Sequence, residues 1–176
     1  MTTMEEIADH ATLADRSTLV IQRLLPGPVE RLWRYLTDSH LRQRWFASGE
    51  MQLTPGAALD LEWRNDTLSE KGDRRPDGFS EVMHMSSQVL AVDPFKELSI
   101  AWGDGSVTFT LAPRGDRVLL TITHTGLQTE GGKSMIAAGW HMHLAILMAE
   151  TSGEPLPSFW SGWTRLEAIY SDRLSG

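Results

Sequence analysis

No cysteine occurs in the 176 residues, which removes disulfides, thiolate zinc sites and cysteine nucleophiles together and leaves stability to packing. No apolar stretch approaches the roughly 20 residues that a bilayer-spanning helix requires. The opening MTTMEEIADHATLADR carries acid where a secretory leader needs base, so a cytoplasmic protein with no membrane partner is expected. Positive charge is scarce: 16 Lys and Arg against 23 Asp and Glu give a net charge of -7. Most of the surface therefore repels a phosphate backbone, and nucleic acid is not an expected partner. Signatures of nucleophilic and metal hydrolysis, G-x-S-x-G and H-E-x-x-H, are missing too. Gly131-Gly132-Lys133-Ser134 lacks the upstream glycine spacing of a phosphate loop and reads as a helix start. Repeats of fixed period and low-complexity tracts are also absent.

What remains is an ordinary globular composition, with 41% hydrophobic and 22% charged residues, at a length that suits one domain with a sizeable core. Residues 1–15, with short apolar groups at Met4, Ile7 and Ala11, read as an N-terminal extension, either a weak helix or loose chain. A strand is expected over 17–25, stopped by Pro26-Gly27-Pro28. Val29, Leu32, Trp33 and Leu36 then fall at i, i+3, i+4 and i+7, one face of a helix entered at Pro28. Asp38 or Ser39 suits the cap of a second short helix carrying Leu41, Trp45 and Phe46.

Beyond Gly49 the period changes from helical to alternating. Leu59, Leu61 and Trp63 alternate with charged residues, and the stretch 65–78 is charged and Gly/Pro-punctuated, a mobile loop by composition. Strand character resumes over 83–92, then at Leu98, Ile100 and Trp102, at Val107, Phe109 and Leu111, and at Val118, Leu120 and Ile122. Short turns join them, which implies an antiparallel meander. The longest helix is expected over 133–151, with Ile136, Trp140, His143, Leu144 and Leu147 on one stripe, and a final amphipathic helix over 158–174. This order is α+β, with helices gathered on one side of a bent sheet of about six or seven strands. Such a sheet closing on a helix tends to leave an apolar pocket.

Four segments resemble a known family. VERLWRYLTDSHLRQRWF is similar to the opening motif of the START-like (SRPBCC, helix-grip) superfamily, in the branch of activator of heat-shock-protein ATPase homologues. QVLAVDPFKELSIAWG resembles its central hairpin, VTFTLAP with RVLLTITHTGL its paired strands, and AAGWHMHLAILM its closing helix. The resemblance runs from about Leu19 to Glu150 and implies a helix-grip domain over 16–153 with an apolar cavity, followed by a helical segment 154–176 packed on the same domain. It implies no reaction. The stretch 65–84 is longer and more polar than the family pattern, and the last helix lies beyond the minimal domain, where it is placed to cover the sheet, close the cavity mouth or form a homodimer surface.

Seven tryptophans are many for this length. Trp45, Trp63, Trp102 and Trp140 fall on faces expected to point inward, and each ring offers a large apolar area with one N–H donor. Core packing is the plainer reading of any one ring, but as a group they are expected to line a pocket. The expected ligand-binding set is Trp33, Trp45, Trp63, Met85, Trp102, Phe109, Leu120, Trp140, His143, Leu144 and Leu147. His141 and His143, two apart on a helix, face different ways and do not chelate. His84 and His124 lie in strands without a carboxylate at matching spacing, so no metal and no cofactor are expected. The resulting expectation is non-catalytic binding of a small hydrophobic or amphipathic molecule. A cyclase or lyase that moves a proton with His143 or His84 in the same cavity is the alternative. A third reading, a stress-related protein that contacts a chaperone, rests on the family's name.

Overall fold

The run TLVIQRLLP alternates buried and half-buried side chains over Thr18–Pro26, the period of a strand with one face on a core. In this computed structural model, which describes residues 7–175, that strand is β2. A shorter strand, β1 (Thr12–Asp15), precedes it and pairs with it antiparallel. The extension expected over 1–15 therefore yields its last residues to the sheet edge. Nothing local in TLAD marks a strand; it is fixed by β2 and by Ala11, whose N–H donates to the buried Tyr170 hydroxyl at 2.7 Å. Met4 lies outside the described residues.

Two helices follow β2, the second strand and not the first. They are α1 (Val29–Thr37), which buries Leu32, Trp33 and Leu36, and α2 (Ser39–Arg42). Asp38 caps α2, its carboxylate accepting from the N–H groups of His40 at 2.9 Å and Leu41 at 3.2 Å. The remaining strands are β3 (Ala58–Trp63), β4 (Met83–Asp93), β5 (Glu97–Trp102), β6 (Gly105–Arg114) and β7 (Arg117–His124). Together with β1 and β2 they form a 7-stranded sheet in the order β1-β2-β7-β6-β5-β4-β3, with every pairing antiparallel. Strand β4 bends the sheet: its first half pairs with β3, its second half with β5, and the register shifts between Val89 and Ala91.

Helix α3 (Glu130–Ser152) begins where the Thr129 hydroxyl accepts from the Gly132 N–H and ends on Gly153 in the left-handed region at φ 72°. It lies in one apolar core with Leu19 and Ile21 of β2, Val107 and Phe109 of β6, and Leu120 and Ile122 of β7. Helix α4 (Phe159–Leu174) packs along α3, and a methyl group at Gly162 would overlap the Met142 thioether. This is the helix-grip architecture. Among the described residues no helix is long and apolar enough to cross a membrane.

The stretch 65–78 is not the free loop that its composition predicts. A single 3-10 turn forms at Asn65–Leu68, and the segment beyond it is clamped to α4. Asp66 accepts from the Trp160 indole N–H at 2.8 Å, Ser69 from the Trp160 backbone N–H at 3.1 Å, and Asp73 from the Ser161 N–H at 3.0 Å. Its polar residues have partners 88 to 94 positions away along the chain, which no local pattern can reveal.

Candidate functional site: an aromatic cavity between sheet and helices

Phe46, in the turn after α2, is the centre of the site. Its ring stacks on Trp140 at 4.9 Å, meets Trp63 edge-on at 5.3 Å and lies at 5.1 Å from His143. Trp102 completes this group, 5.5 Å from Trp63 and 5.7 Å from Trp140. The turn is held by Arg42, a buried guanidinium that donates to the carbonyls of Leu36 (3.1 Å), Ala47 (3.0 Å) and Gly49. Burial pushes the Arg42 pKa down to about 10, which leaves it charged. A second aromatic group stands across from the first. Phe79 contacts Trp160 and Trp163 of α4 at 5.2 Å and 5.0 Å, and Phe159 stacks beside His143 at 4.7 Å.

Between the two groups is a cavity of about 330 Å³, within the usual size range of small-ligand pockets. Met83, Met85 and Ile136 fill out its walls, and exposed Met135 and His84 lie at its rim. Gly139 of α3 also borders it, and a methyl group built there would meet nothing within 4 Å. A helix-interior glycine costs roughly 0.5–1 kcal/mol relative to alanine. Packing does not require this glycine; its small size keeps one wall of the cavity open.

The polar inventory of the wall is short. Its lining contains no Asp, Glu, Lys or Arg. His143 Nδ1 lies 2.7 Å from the Trp45 carbonyl, which can only accept, so Nδ1 carries the proton and Nε2 presents a lone pair. Burial pushes the His143 pKa down to about 4, the hydrogen bond to Trp45 opposing it only in part, so the ring is neutral at physiological pH. Four indole N–H groups are engaged within the protein: Trp45 with the Tyr35 carbonyl, Trp140 with His124 Nδ1, Trp160 with Asp66 and Trp163 with the Met135 carbonyl. Those of Trp63 and Trp102 make no protein hydrogen bond among the described residues. Asn65 is 5% exposed, and its Oδ1 is a sealed acceptor with no partner.

Of the residues expected to bind ligand, the structure brings Trp63, Met85, Trp102, Trp140 and His143 to this cavity. The other six lie elsewhere. Trp33 packs beside Phe95 at 6.0 Å on the α1 side. Trp45 is fully buried behind Phe46; the helix expected to carry both stops at Arg42, and from the turn that follows the Trp45 ring faces core and not open space. Phe109 lies edge-on behind Trp140 at 5.8 Å, and Leu120, Leu144 and Leu147 are interlocked in the core below. Sequence reasoning missed Phe46, Asn65, Phe79 and, on α4, Phe159, Trp160 and Trp163 as cavity walls. Phe159 and Trp163 repeat on an amphipathic stripe, which was a signal for burial, but only the packing of α4 on α3 turns that stripe toward the cavity.

His141 and His143 diverge as their spacing requires. His141 Nδ1 is 2.8 Å from the Tyr170 hydroxyl, on the side of α3 away from Phe46. His84 stands exposed, 3.7 Å from Glu62. No group of His, Asp or Glu among the described residues is arranged to hold a metal ion.

Residues 26–151 match the family described as Activator of Hsp90 ATPase homolog 1-like protein. The chain belongs to that family. Its fold is the helix-grip of the START-like superfamily, and solved structures agree along nearly its full length. The solution structure of the protein encoded by gene BPP1335 from Bordetella parapertussis is 30% identical with a TM-score of 0.78, over 100% of this chain and 97% of that one. Two more distant likenesses show the fold alone. The conserved protein EF2215 from Enterococcus faecalis is 17% identical at a TM-score of 0.68, over 93% of this chain and 90% of its own. CalU16 from Micromonospora echinospora is 20% identical at 0.64, over 90% and 89%. No curated protein matches the chain. In the helix-grip framework the cavity lies where the bent sheet, α3 and the added α4 meet, and α4 lies outside the span of the family match.

Proposed function

We propose that this family member binds a small, neutral, largely aromatic or amphipathic molecule in the cavity between α3, α4 and the β3–β5 region, without transforming it. The observation that carries this reading is the wall itself: two facing groups of aromatic rings around about 330 Å³, with no Asp, Glu, Lys or Arg in the lining. Rings of this kind offer flat apolar area, and an ion entering would lose hydration without gaining a counter-charge.

Proton transfer by His143 is the competing use of the same space. The burial that lowers its pKa to about 4 makes it a weak base, poorly matched to chemistry near neutral pH, which favours binding. The chaperone reading rests on the family description alone.

The test is a titration with the neutral fluorophore N-phenyl-1-naphthylamine beside its sulfonated analogue. Saturable binding of the neutral probe, a rise in Tm with its concentration, recovery of unaltered probe and markedly weaker binding of the sulfonate are expected. Absence of saturable binding, or equal affinity for the sulfonate, contradicts the proposal.

A further inference from the structure

The Asn65 carboxamide is out of place on stability grounds. It is buried, it begins a 3-10 turn that needs no side-chain amide, and its Oδ1 has no partner. The turn is held without it: the Ser69 hydroxyl donates to the Asn65 backbone carbonyl at 3.1 Å, and Asp66 takes the Trp160 indole. The Nδ2 end also lacks a protein partner among the described residues. Unlike Oδ1, it is not sealed from open space. A half-turn about the last side-chain torsion exchanges the two ends, so the amide can offer either a donor or an acceptor to whatever fills the cavity. A fold keeps an unpaired buried polar group at a cost unless something else pairs with it.

A second unpaired group opens on the same space. His143 uses Nδ1–H on the Trp45 carbonyl, leaving Nε2 as an acceptor with no protein donor. The lining therefore offers an acceptor on His143 and a two-way amide on Asn65, set among rings and thioethers and without a carboxylate, ammonium or guanidinium group.

We infer that the cavity selects flat aromatic molecules bearing a neutral hydroxyl, and that Asn65 and His143 are its specificity-determining groups. A hydroxyl is the simplest substituent that both donates, to His143 Nε2, and accepts, from the Asn65 amide. An ether can only accept, and a carboxylate brings a charge that the wall does not balance. This inference rests on the proposed ligand-binding role of the cavity.

Four probes of nearly the same shape separate the two claims: naphthalene, 2-methoxynaphthalene, 2-naphthol and 2-naphthoate, titrated by calorimetry at pH 7 into the full-length protein and its Asn65→Leu variant. For the unaltered protein, 2-naphthol is expected to bind about tenfold more tightly than 2-methoxynaphthalene, as one added hydrogen bond provides, with 2-naphthoate weakest. In Asn65→Leu, which removes an amide donor that both oxygens can accept from, 2-naphthol and 2-methoxynaphthalene are each expected to lose affinity relative to naphthalene while the hydroxyl-to-ether ratio persists. If all the neutral probes bind and the hydroxyl confers no advantage, the inference fails and the cavity reading stands. If none binds, the cavity reading itself fails. The hydroxyl-to-ether ratio on the unaltered protein needs no variant, so misfolding of Asn65→Leu does not remove the test. His143→Phe removes the Nε2 acceptor and is expected to narrow the hydroxyl-to-ether ratio.

Discussion

At the scale of single residues, the site combines groups that stabilise the fold with groups that do not. Arg42 is of the first kind: its guanidinium serves the Leu36 carbonyl of α1 and the Ala47 and Gly49 carbonyls that follow Phe46. Arg42→Leu leaves all three without that donor and is expected to cost about 3 kcal/mol or more in urea denaturation, since stranded buried carbonyls cost roughly 1–3 kcal/mol each. Asn65 is of the second kind. Because its Oδ1 is an unpaired buried acceptor, Asn65→Leu removes a cost, and the unliganded protein is expected to gain about 1 kcal/mol and a higher Tm in a calorimetric scan. A loss of stability on that substitution would mean that the amide has a structural partner. The sequence could not separate these two residues: a polar side chain in a polar stretch reads the same whether or not it finds a partner.

Among the elements, α4 and the segment 65–79 form one unit. Trp160, Ser158 and Ser161 at the start of α4 are tied to Asp66, Ser69 and Asp73, and Phe79 packs on Trp160 and Trp163. Asp66→Ala cuts the Trp160 indole hydrogen bond and the ion pair from Arg75. It is expected to speed amide exchange in residues 65–79 and 159–163 by about tenfold, as loss of roughly 1.4 kcal/mol of local stability implies, while leaving β6 and β7 protected. Uniform acceleration across the sheet would show that the segment is not a local unit. The strands and long helices were legible because their periods of 2 and 3.6 are written in Leu59, Leu61 and Trp63, in Val107, Phe109 and Leu111, and in the Trp140–His143–Leu147 stripe. The clamp was not legible. Its partners are remote in the chain, and the same charges that read as a mobile loop are what fix it. The site was half legible for the same reason: Trp63 and Trp102 alternate visibly on strands, whereas the facing wall depends on how α4 docks.

At the scale of the whole molecule, two buried imidazoles, His124 and His143, and one half-buried, His141, couple the fold to pH. Burial is the leading cause that lowers the pKa of His124, His141 and His143 from 6.5 to about 4 in each case. A group whose folded pKa is depressed is neutral in the fold, and the unfolded chain takes up its proton first. Their contribution is complete above pH 6.5, declines as the pH falls through the window from 6.5 to 4, and is spent below it. The urea midpoint is therefore expected to be flat between pH 8 and 7 and to fall steeply between pH 6 and 4.5, with an uptake of roughly two to three protons on unfolding. A midpoint independent of pH across that window would show that the histidines are not buried in their neutral forms.

The central claim is that the space between the two aromatic groups is kept open for a ligand, and Gly139 tests it most directly. A methyl group there meets nothing within 4 Å, so a larger side chain can grow into the cavity, and a leucine also suits the helix better than glycine by roughly 0.5–1 kcal/mol. The measurement is the affinity of Gly139→Leu for N-phenyl-1-naphthylamine, read beside its Tm. Retained or raised Tm with at least about a hundredfold weaker binding, some 2.7 kcal/mol, is the predicted result. Undiminished binding by a folded Gly139→Leu protein would contradict the account, because the ligand would then occupy some other part of the molecule.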